Sequence, residues 1–235
     1  MKKIIISLSI IICFVAAFFI YKNYETSSGI SIEEPIPLKY WDNHRDTPLI
    51  FVISGDAGFS TFMQKLSEQI YKDGYDIYTL NTKKYFWQKK TAEQSAKDFS
   101  SYLENILKTR KNKQIVMIGY SFGADVLPFI VNKMPKELDK QIIKNILIDP
   151  SSTGSLEIKL ENYIAENTDG EQLTIPEVNK MKLPINIILS DFGYENYPFA
   201  EVKIKKNIFH LPGNHRFRND YAKITQTISN IIKAK

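Results

Sequence analysis

The sequence predicts an α/β fold in which a mostly parallel β-sheet carries helices on both faces. Two observations predict it. Short apolar runs alternate with longer segments whose apolar residues recur at helical spacing, and the runs themselves contain few polar residues. Strands that are apolar throughout are buried on both faces, which is typical of parallel sheets covered by crossover helices. The runs cover residues 48–53, 75–80, 114–119, 142–148, 185–189 and 207–211.

The segments between these runs carry the helical pattern. The first places Phe62, Leu66 and Ile70 on one face, and Gly74 follows as a helix-ending residue. Three more helices are predicted at residues 92–107, from residue 122 onward, and at residues 220–232. Residues 151–182 are the only stretch long enough for a small lid, so the lid is predicted to be small or absent.

Composition predicts one domain and excludes several classes of protein. The 235 residues are 43% hydrophobic, enough for one substantial core. The net charge of +5 comes from lysines interleaved with acidic residues, without the motifs of a nucleic-acid-binding module. One cysteine and three histidines follow no metal-ligand spacing, so neither a metal nor another cofactor is predicted.

The N-terminus predicts export to the cell envelope. Two lysines precede an apolar run over residues 4–21, the pattern of a signal peptide or signal anchor at residues 1–22. The run continues past its only weak cleavage site, which favours an uncleaved anchor that holds the protein on the membrane. Residues 23–37 are predicted to be a linker, and residues 38–235 a periplasmic domain.

A nucleophile is predicted at Ser121. Gly119-Tyr120-Ser121-Phe122-Gly123 matches G-x-S-x-G, and it stands between a predicted strand and a predicted helix. This is the nucleophile elbow of an α/β-hydrolase, in which small neighbours let the serine occupy a sharp turn above the sheet. The alternative is a tight turn whose serine merely caps the helix.

The oxyanion hole is predicted from two backbone N–H groups. One belongs to Phe122, directly after the nucleophile. The other should come from the loop 54–59 after the first strand, with Ala57 or Asp56 as the donor. Asp56 is also interpreted either as a turn residue or as a group that binds a cationic part of the substrate.

A general base and its carboxylate partner complete the predicted site. His215 lies between the last strand and the last helix, where the chain order Ser, acid, His places the base. Asp191 directly follows the fifth strand and is the favoured acid, which would orient the His215 imidazole. Glu195 in the same loop and Asp149 after the fourth strand remain alternatives.

Several longer motifs resemble the VirJ/AcvB-type bacterial virulence proteins. The most specific is Gly119-Tyr-Ser-Phe-Gly-Ala-Asp-Val-Leu-Pro, and the order of the motifs is the family's order. Two departures are Ala57 and Phe59, where the family has Gly and Trp. A third is Arg216 after His215, where the family has a second histidine. The matching stretches are residues 53–59, 84–87, 91–94, 118–129, 211–217 and 220–221.

The resemblance implies an α/β-hydrolase of the cell envelope that cleaves aminoacylated phosphatidylglycerol, notably its lysyl ester. The partner would be a membrane phospholipid, with secretion-system components as a further possibility. Asp56 or Glu195 would bind the lysyl ammonium, and Tyr85 and Trp87 would line a lipid-facing mouth, although core packing explains these aromatic residues equally well. A general carboxylesterase or lipase and a non-catalytic virulence or secretion protein are the alternatives.

Overall fold

Within the residues that the structure describes, ten strands make up a large central sheet and a small two-stranded one. The computed structural model describes residues 29–33, 35–158 and 172–234. The strands are β1 (Ile30–Ile32), β2 (Leu38–Trp41), β3 (Leu49–Ile53), β4 (Ile77–Leu80), β5 (Ile115–Tyr120), β6 (Ile142–Ile148), β7 (Thr153–Gly154), β8 (Gln172–Leu173), β9 (Ile185–Leu189) and β10 (Lys206–His210).

Eight α-helices and two 3₁₀ turns connect or flank these strands in the described part of the chain. The helices are α1 (Thr61–Lys72), α2 (Thr82–Tyr85), α3 (Ala92–Thr109), α4 (Phe122–Val131), α5 (Lys136–Asp139), α6 (Thr174–Val178), α7 (Asp191–Asn196) and α8 (Tyr221–Lys233). The 3₁₀ turns are Phe199–Glu201 and Phe217–Asn219.

The central sheet has the order β1-β2-β4-β3-β5-β6-β9-β10. Every pair from β4 to β10 is parallel, and β2 pairs antiparallel with β4. The prediction of a mostly parallel sheet is therefore confirmed, and each of the six predicted strands is present with its ends shifted by two residues or fewer. The two strands at the β1 edge were not predicted.

Each face of the sheet packs on its own hydrophobic core. In β3 the side chains of Leu49, Phe51 and Ile53 join one core with α3 and α4, whereas Ile50 and Val52 join the other with α1 and α8. This alternation follows from the period of two in a strand. It explains why the whole strand is apolar, and it confirms that helices cover both faces.

Side-chain caps fix where the long helices begin. The Thr91 hydroxyl accepts a hydrogen bond from the backbone N–H of Gln94 at 3.1 Å at the start of α3. The Asp220 carboxylate does the same for Lys223 at 3.1 Å at the start of α8. Such caps satisfy backbone donors that the first helical turn leaves unpaired. The start of α8 matters for function because it follows directly on the loop that carries His215.

Ser31–Lys235 forms one compact unit. The predicted anchor at residues 1–22, residues 23–28 and 34 of the predicted linker, and residues 159–171 of the predicted lid segment lie outside the described residues. Among the residues that are described, none of the helices combines the length and apolarity that a membrane span requires.

Candidate active site

Ser121 stands in a strained turn between β5 and α4. Its backbone has φ 52° and ψ −123°, a left-handed φ that residues other than glycine rarely adopt. Its N–H donates to the Ile148 carbonyl at 2.9 Å, which ties the turn to the end of β6. Its side chain makes no capping hydrogen bond to α4. The alternative interpretation as an ordinary helix cap is therefore wrong.

The two glycines of the motif are required by close backbone approach. A Cβ atom on Gly119 would lie 2.3 Å from the Gly123 carbonyl oxygen, and one on Gly123 would lie 2.0 Å from the Ile53 carbonyl oxygen. Both distances are far below van der Waals contact, and backbone atoms cannot move aside as a flexible side chain could. The turn predicted from G-x-S-x-G is thus the turn that the chain adopts.

His215 pairs with Asp149. Its Nδ1 lies 2.5 Å from Asp149 Oδ2, and the carboxylate is nearly inaccessible, with 3% of the side chain exposed against 49% for the histidine. A buried carboxylate that contacts Nδ1 holds the ring so that Nε2 faces outward as the basic nitrogen. This is the arrangement that a general base needs.

The His215–Asp149 pair lies beside the nucleophile elbow. The Tyr120 hydroxyl donates to the His215 carbonyl at 3.0 Å, and the two rings stack with centroids 5.2 Å apart. Tyr120 immediately precedes Ser121 and pairs across the sheet with Ile148, the residue before Asp149. The three groups of the candidate triad therefore gather at the carboxyl ends of β5, β6 and β10, where open α/β sheets bind their ligands.

The prediction that Asp191 is the acid is wrong. Its carboxylate contacts His210 Nε2 at 2.8 Å and the Gly213 N–H at 2.9 Å, and 48% of its side chain is exposed. The physical reason is tertiary. The Asp191 carboxylate is engaged by His210 and the Gly213 N–H, whereas the space beside Gly193 admits the Asp149 carboxylate that contacts His215. Glu195 is exposed on α7, so the alternative that fits is Asp149.

The loop predicted to supply the second oxyanion donor does lie against the nucleophile. A Cβ atom on Gly55 would be 3.5 Å from Ser121 Cβ. The N–H of Ala57, however, donates to the Asp56 carboxylate at 2.8 Å, so it is already engaged in this conformation. Gly55, which was not singled out from the sequence, is a loop residue whose lack of a side chain leaves room for Tyr120 and Ser121. The oxyanion roles of Phe122 and Asp56 stay predictions.

The two aromatic residues predicted to bind substrate have different environments. Tyr85 is buried, and its hydroxyl donates to Asp98 Oδ2 at 2.6 Å. Burial and this hydrogen bond raise the pKa of the Tyr85 hydroxyl far above its ordinary value. Tyr85 is a core residue, and its prediction as a substrate-binding residue is wrong. Trp87 is 49% exposed, and its role stays a prediction. The ring of Phe86 packs against Phe122 of the elbow, with centroids 5.4 Å apart.

Asp125 is a second buried acid close to the elbow. Its N–H donates to the Ser121 carbonyl at 3.1 Å, and its Oδ1 accepts from the Ser151 N–H at 2.7 Å. The residue keeps some exposed surface, but its carboxyl group is enclosed, and burial raises the pKa of that carboxyl to about 7. The loop after Asp149 is thus fastened to α4 by a group that titrates near neutrality.

Asp125→Asn should therefore stabilise the protein at alkaline pH. The folded state holds this proton more tightly than the unfolded state, in which the pKa is near 3.8, so the wild type loses stability as pH rises from about 4 to about 7. The asparagine keeps an acceptor for Ser151 but never ionises. We expect its unfolding free energy at about pH 8 to exceed that of the wild type by about 1–3 kcal/mol, allowing for partial exposure.

Urea unfolding at several pH values measures this difference. The gain should shrink toward pH 4 and disappear below about pH 3, where both states of the wild type hold the proton. Asp46→Asn is the matched control. Asp46 is an exposed acid that precedes β3, at the end of the sheet away from Ser121 and Asp125. A stability gain that is independent of pH would contradict the assignment of the effect to Asp125 ionisation.

Within residues 29–33, 35–158 and 172–234, the side chains form no group of three histidine, cysteine or acidic residues that could hold a metal ion.

Most of this chain matches a known protein family. The profile of a family described as "Bacterial virulence protein (VirJ)" matches residues 46–235, which is most of the chain. This protein belongs to the VirJ family. The resemblance found in the motifs is thereby confirmed. The match covers every strand from β3 to β10, so the candidate site of this VirJ-family protein lies wholly within the matched region.

Several solved hydrolase structures are similar to this VirJ-family chain at low sequence identity. A membrane phospholipase A, described as a bacterial virulence factor, aligns over 100% of both chains with a TM-score of 0.65 and 10% identity. Est1E from Butyrivibrio proteoclasticus covers 86% of this chain and 96% of its own, with a TM-score of 0.57 and 16% identity. At these identities the likeness establishes the α/β-hydrolase fold.

A third similar structure is the thioesterase domain from the curacin biosynthetic pathway. It covers 87% of this chain and 98% of its own, with a TM-score of 0.55 and 12% identity. No curated protein sequence matches this VirJ-family chain. The fold and the family are therefore established by these comparisons, and the reaction has to be argued from the site.

Proposed function

We propose that this protein is a serine hydrolase of the cell envelope that cleaves the aminoacyl ester of aminoacylated phosphatidylglycerol. The observation that carries the hydrolase part is the 2.5 Å contact between His215 Nδ1 and the buried Asp149 carboxylate, beside a strained serine whose hydroxyl does not cap its helix. Strain of this kind persists only where the surrounding structure enforces it, and it concentrates at functional sites.

In the first half of the proposed reaction, Ser121 Oγ attacks the ester carbonyl carbon and its proton passes to His215 Nε2. The imidazolium is stabilised by the Asp149 carboxylate. Backbone N–H groups of Phe122 and the loop 54–59 face the negative charge on the carbonyl oxygen. When the tetrahedral intermediate collapses, the glycerol oxygen of phosphatidylglycerol leaves with the proton from His215, and an aminoacyl ester remains on Ser121.

Water completes the second half. His215 takes a proton from a water molecule as the water oxygen attacks the aminoacyl carbonyl. Collapse of the second intermediate breaks the bond to Ser121 Oγ, which recovers a proton from His215. The products are the free amino acid and phosphatidylglycerol. His215 acts first as a base and then as an acid in each half, so no additional cofactor is needed in this scheme.

The substrate class is supported by the family and by the charge beside the elbow. The VirJ/AcvB resemblance implies an aminoacylated phospholipid, and a similarly folded protein is a membrane phospholipase A. Asp56 is exposed and directly follows Gly55, which lies next to the elbow, and this position supports its role in the proposal. A lysyl group carries two ammonium groups, which a nearby carboxylate would attract. Glu195 is the second candidate for this role.

The cellular setting is part of the same proposal. The pattern at residues 1–22 is typical of a signal anchor, and it would hold the domain next to its lipid substrate on the periplasmic side. Trp87 is exposed in a segment that contains Lys83, Lys84, Lys89 and Lys90, a composition suited to the surface of an anionic bilayer.

Release of lysine from lysyl-phosphatidylglycerol tests the substrate assignment. The full-length protein in detergent micelles should release free lysine, with a higher kcat/KM than for short uncharged acyl esters. Asp56→Asn should lower kcat/KM for the lysyl lipid about tenfold, because a partly exposed charge pair contributes on the order of 1 kcal/mol. Uncharged esters should be unaffected. Asp46→Asn, an exposed acid at the opposite end of β3, is the control.

Two results would contradict this assignment. A strong preference for short acyl esters without lysine release would make the protein a general carboxylesterase or lipase. An equal effect of Asp56→Asn on charged and uncharged esters would show that Asp56 acts on loop structure and does not recognise the ammonium group.

A further inference from the structure

Two consecutive residues at the end of β9 hold the two partners of the His215–Asp149 pair. Ser190 contacts the acid, and Asp191 contacts the loop that carries the base. We propose that Ser190 and Asp191 form a positioning bridge that sets the acid and the base-carrying loop relative to each other. This inference rests on the proposed hydrolase function. It also gives a role to Asp191, which the sequence predicted to be the acid.

On the acid side, Ser190 supplies hydrogen bonds to both oxygens of Asp149. The Ser190 N–H donates to Asp149 Oδ1 at 2.9 Å, and the Ser190 hydroxyl lies 2.9 Å from Oδ1 and 2.8 Å from Oδ2. Ser190 is completely buried. Donors of this kind stabilise the ionised carboxylate and restrict its rotation. Asp149 itself has φ 51°, so its backbone is strained and depends on such contacts.

Gly193 completes the acid side. A Cβ atom at this position would lie 2.1 Å from Asp149 Oδ1, so any other residue would displace the carboxylate or α7. The Gly193 N–H donates to the Ser190 hydroxyl at 3.2 Å, which orients the hydroxyl proton away from the helix and toward Asp149. The first turn of α7 is therefore built around the acid.

On the base side, Asp191 holds the loop after β10 at two points. The Asp191 N–H donates to the Gly213 carbonyl at 3.0 Å, and the Gly213 N–H donates to Asp191 Oδ2 at 2.9 Å. Gly213 has φ 132°, a conformation that side chains rarely allow, and it stands two residues before His215. The reciprocal pair of bonds thus fixes the direction in which the loop leaves the sheet.

His210 supports the bridge from outside. Its Nε2 contacts Asp191 Oδ1 at 2.8 Å, and its ring stacks on Tyr194 with centroids 4.5 Å apart. The hydrogen bond from Gly213 and the contact with His210 hold the pKa of the Asp191 carboxyl below its usual value. At neutral pH the carboxylate is therefore available to both neighbours. No atom of Asp191 needs to touch the substrate for this role.

Asp191→Ala should lower kcat without a matching change in KM. The chemical groups of the site remain, but the base-carrying loop loses one of its two bonds to α7. Misplacement by about 1 Å can reduce a rate about 10²-fold, so we expect kcat to fall about 10- to 100-fold while KM changes less than about twofold. Asp191→Asn should recover most of the lost rate, because its amide oxygen can still accept from the Gly213 N–H.

The experiment compares steady-state kinetics and the rate of Ser121 labelling by a fluorophosphonate in both variants. Ser190→Ala tests the contact with Asp149 independently. It should also lower kcat about tenfold, because it removes a hydrogen bond to a charged group. Glu201→Gln, an exposed acid in the 3₁₀ turn after α7, is the control. Thermal melts establish that each variant is folded.

Wild-type kcat in both Asp191→Ala and Ser190→Ala would overturn the bridge, as would a failure of Asp191→Asn to recover the rate. The failure of the hydrolase proposal has a different signature, since the wild type would then have no activity that depends on Ser121. Should Asp191→Ala fail to fold, the comparison of Ser190→Ala with the wild type still decides between a bridge and a structurally neutral serine.

Discussion

Replacing Ser121 by alanine should abolish ester hydrolysis, with kcat reduced on the order of 10³- to 10⁶-fold. In the proposed mechanism the hydroxyl oxygen forms the covalent intermediate, and without it the remaining groups would only bind substrate and polarise its carbonyl. The residual rate would reflect direct attack by water. Binding should change little, because the backbone N–H groups proposed as oxyanion donors do not depend on this side chain. Release of the product from lysyl-phosphatidylglycerol or a chromogenic ester measures the effect.

The control for this variant is Ser101→Ala, an exposed serine on α3. Both variants should give the circular dichroism spectrum of the wild type, because the Ser121 hydroxyl caps no helix. Activity above about a tenth of the wild-type rate in Ser121→Ala would mean that the nucleophile is elsewhere. Full biological activity in a strain that carries only Ser121→Ala would favour the non-catalytic role in virulence or secretion.

Replacing Asp149 by asparagine should reduce kcat on the order of 10⁴-fold. An amide in place of the carboxylate can present its NH₂ group to Nδ1 of His215, which favours the tautomer with the proton on Nε2, where it cannot accept the serine proton. It also removes the charge that stabilises the imidazolium. Asparagine has nearly the same shape, so the loss should appear in kcat and less in folding. Steady-state kinetics with a chromogenic ester measures it.

The matched comparison is Asp191→Asn, in which the same chemical change is made at the acid that contacts His210. We expect that variant to keep most of its rate, so the two aspartates should differ by about 10³-fold or more in their effect on kcat. A larger loss for Asp191→Asn than for Asp149→Asn would reverse the assignment of the acid and contradict the geometry described here.

The sequence alone could not distinguish Asp149 from Asp191 as the acid. Asp149 and Asp191 each follow an apolar strand, and both satisfy the chain order of serine, acid and histidine. What separates them is tertiary: the left-handed φ of Asp149 and the space opened by Gly193 bring one carboxylate under His215. Neither a backbone angle nor the room beside a distant glycine can be derived from local pattern.

The sheet itself was predictable because burial imposes a pattern on it. The strands β3, β5 and β6 are apolar throughout, since each is covered by helices on both faces, and such runs are distinctive in sequence. The strand β2 was missed for the opposite reason. Leu38–Trp41 is only partly buried and pairs antiparallel at the side of the sheet away from the site, so its mixed composition resembles a loop.

Tyr85 was misjudged because position along the chain does not give the direction of a side chain. It follows β4 at the end of the sheet where substrates bind, but α2 is a single short turn that directs its ring inward. There the hydroxyl finds Asp98 on α3, and the ring lies 5.2 Å from Phe99. Trp87, two residues later, remains exposed. The contact with Asp98 on α3 therefore explains why Tyr85 is buried while Trp87 is exposed.

Mass spectrometry after reaction with a fluorophosphonate tests the central claim most directly, because the reagent phosphonylates an activated serine in one step. An activated Ser121 should give a single adduct on the peptide that contains it, no adduct in Ser121→Ala, and labelling slowed about 10²-fold or more when His215 is replaced by alanine. An adduct on a different residue, or rapid labelling of Ser121 that does not depend on His215, would contradict the proposed roles of these two residues.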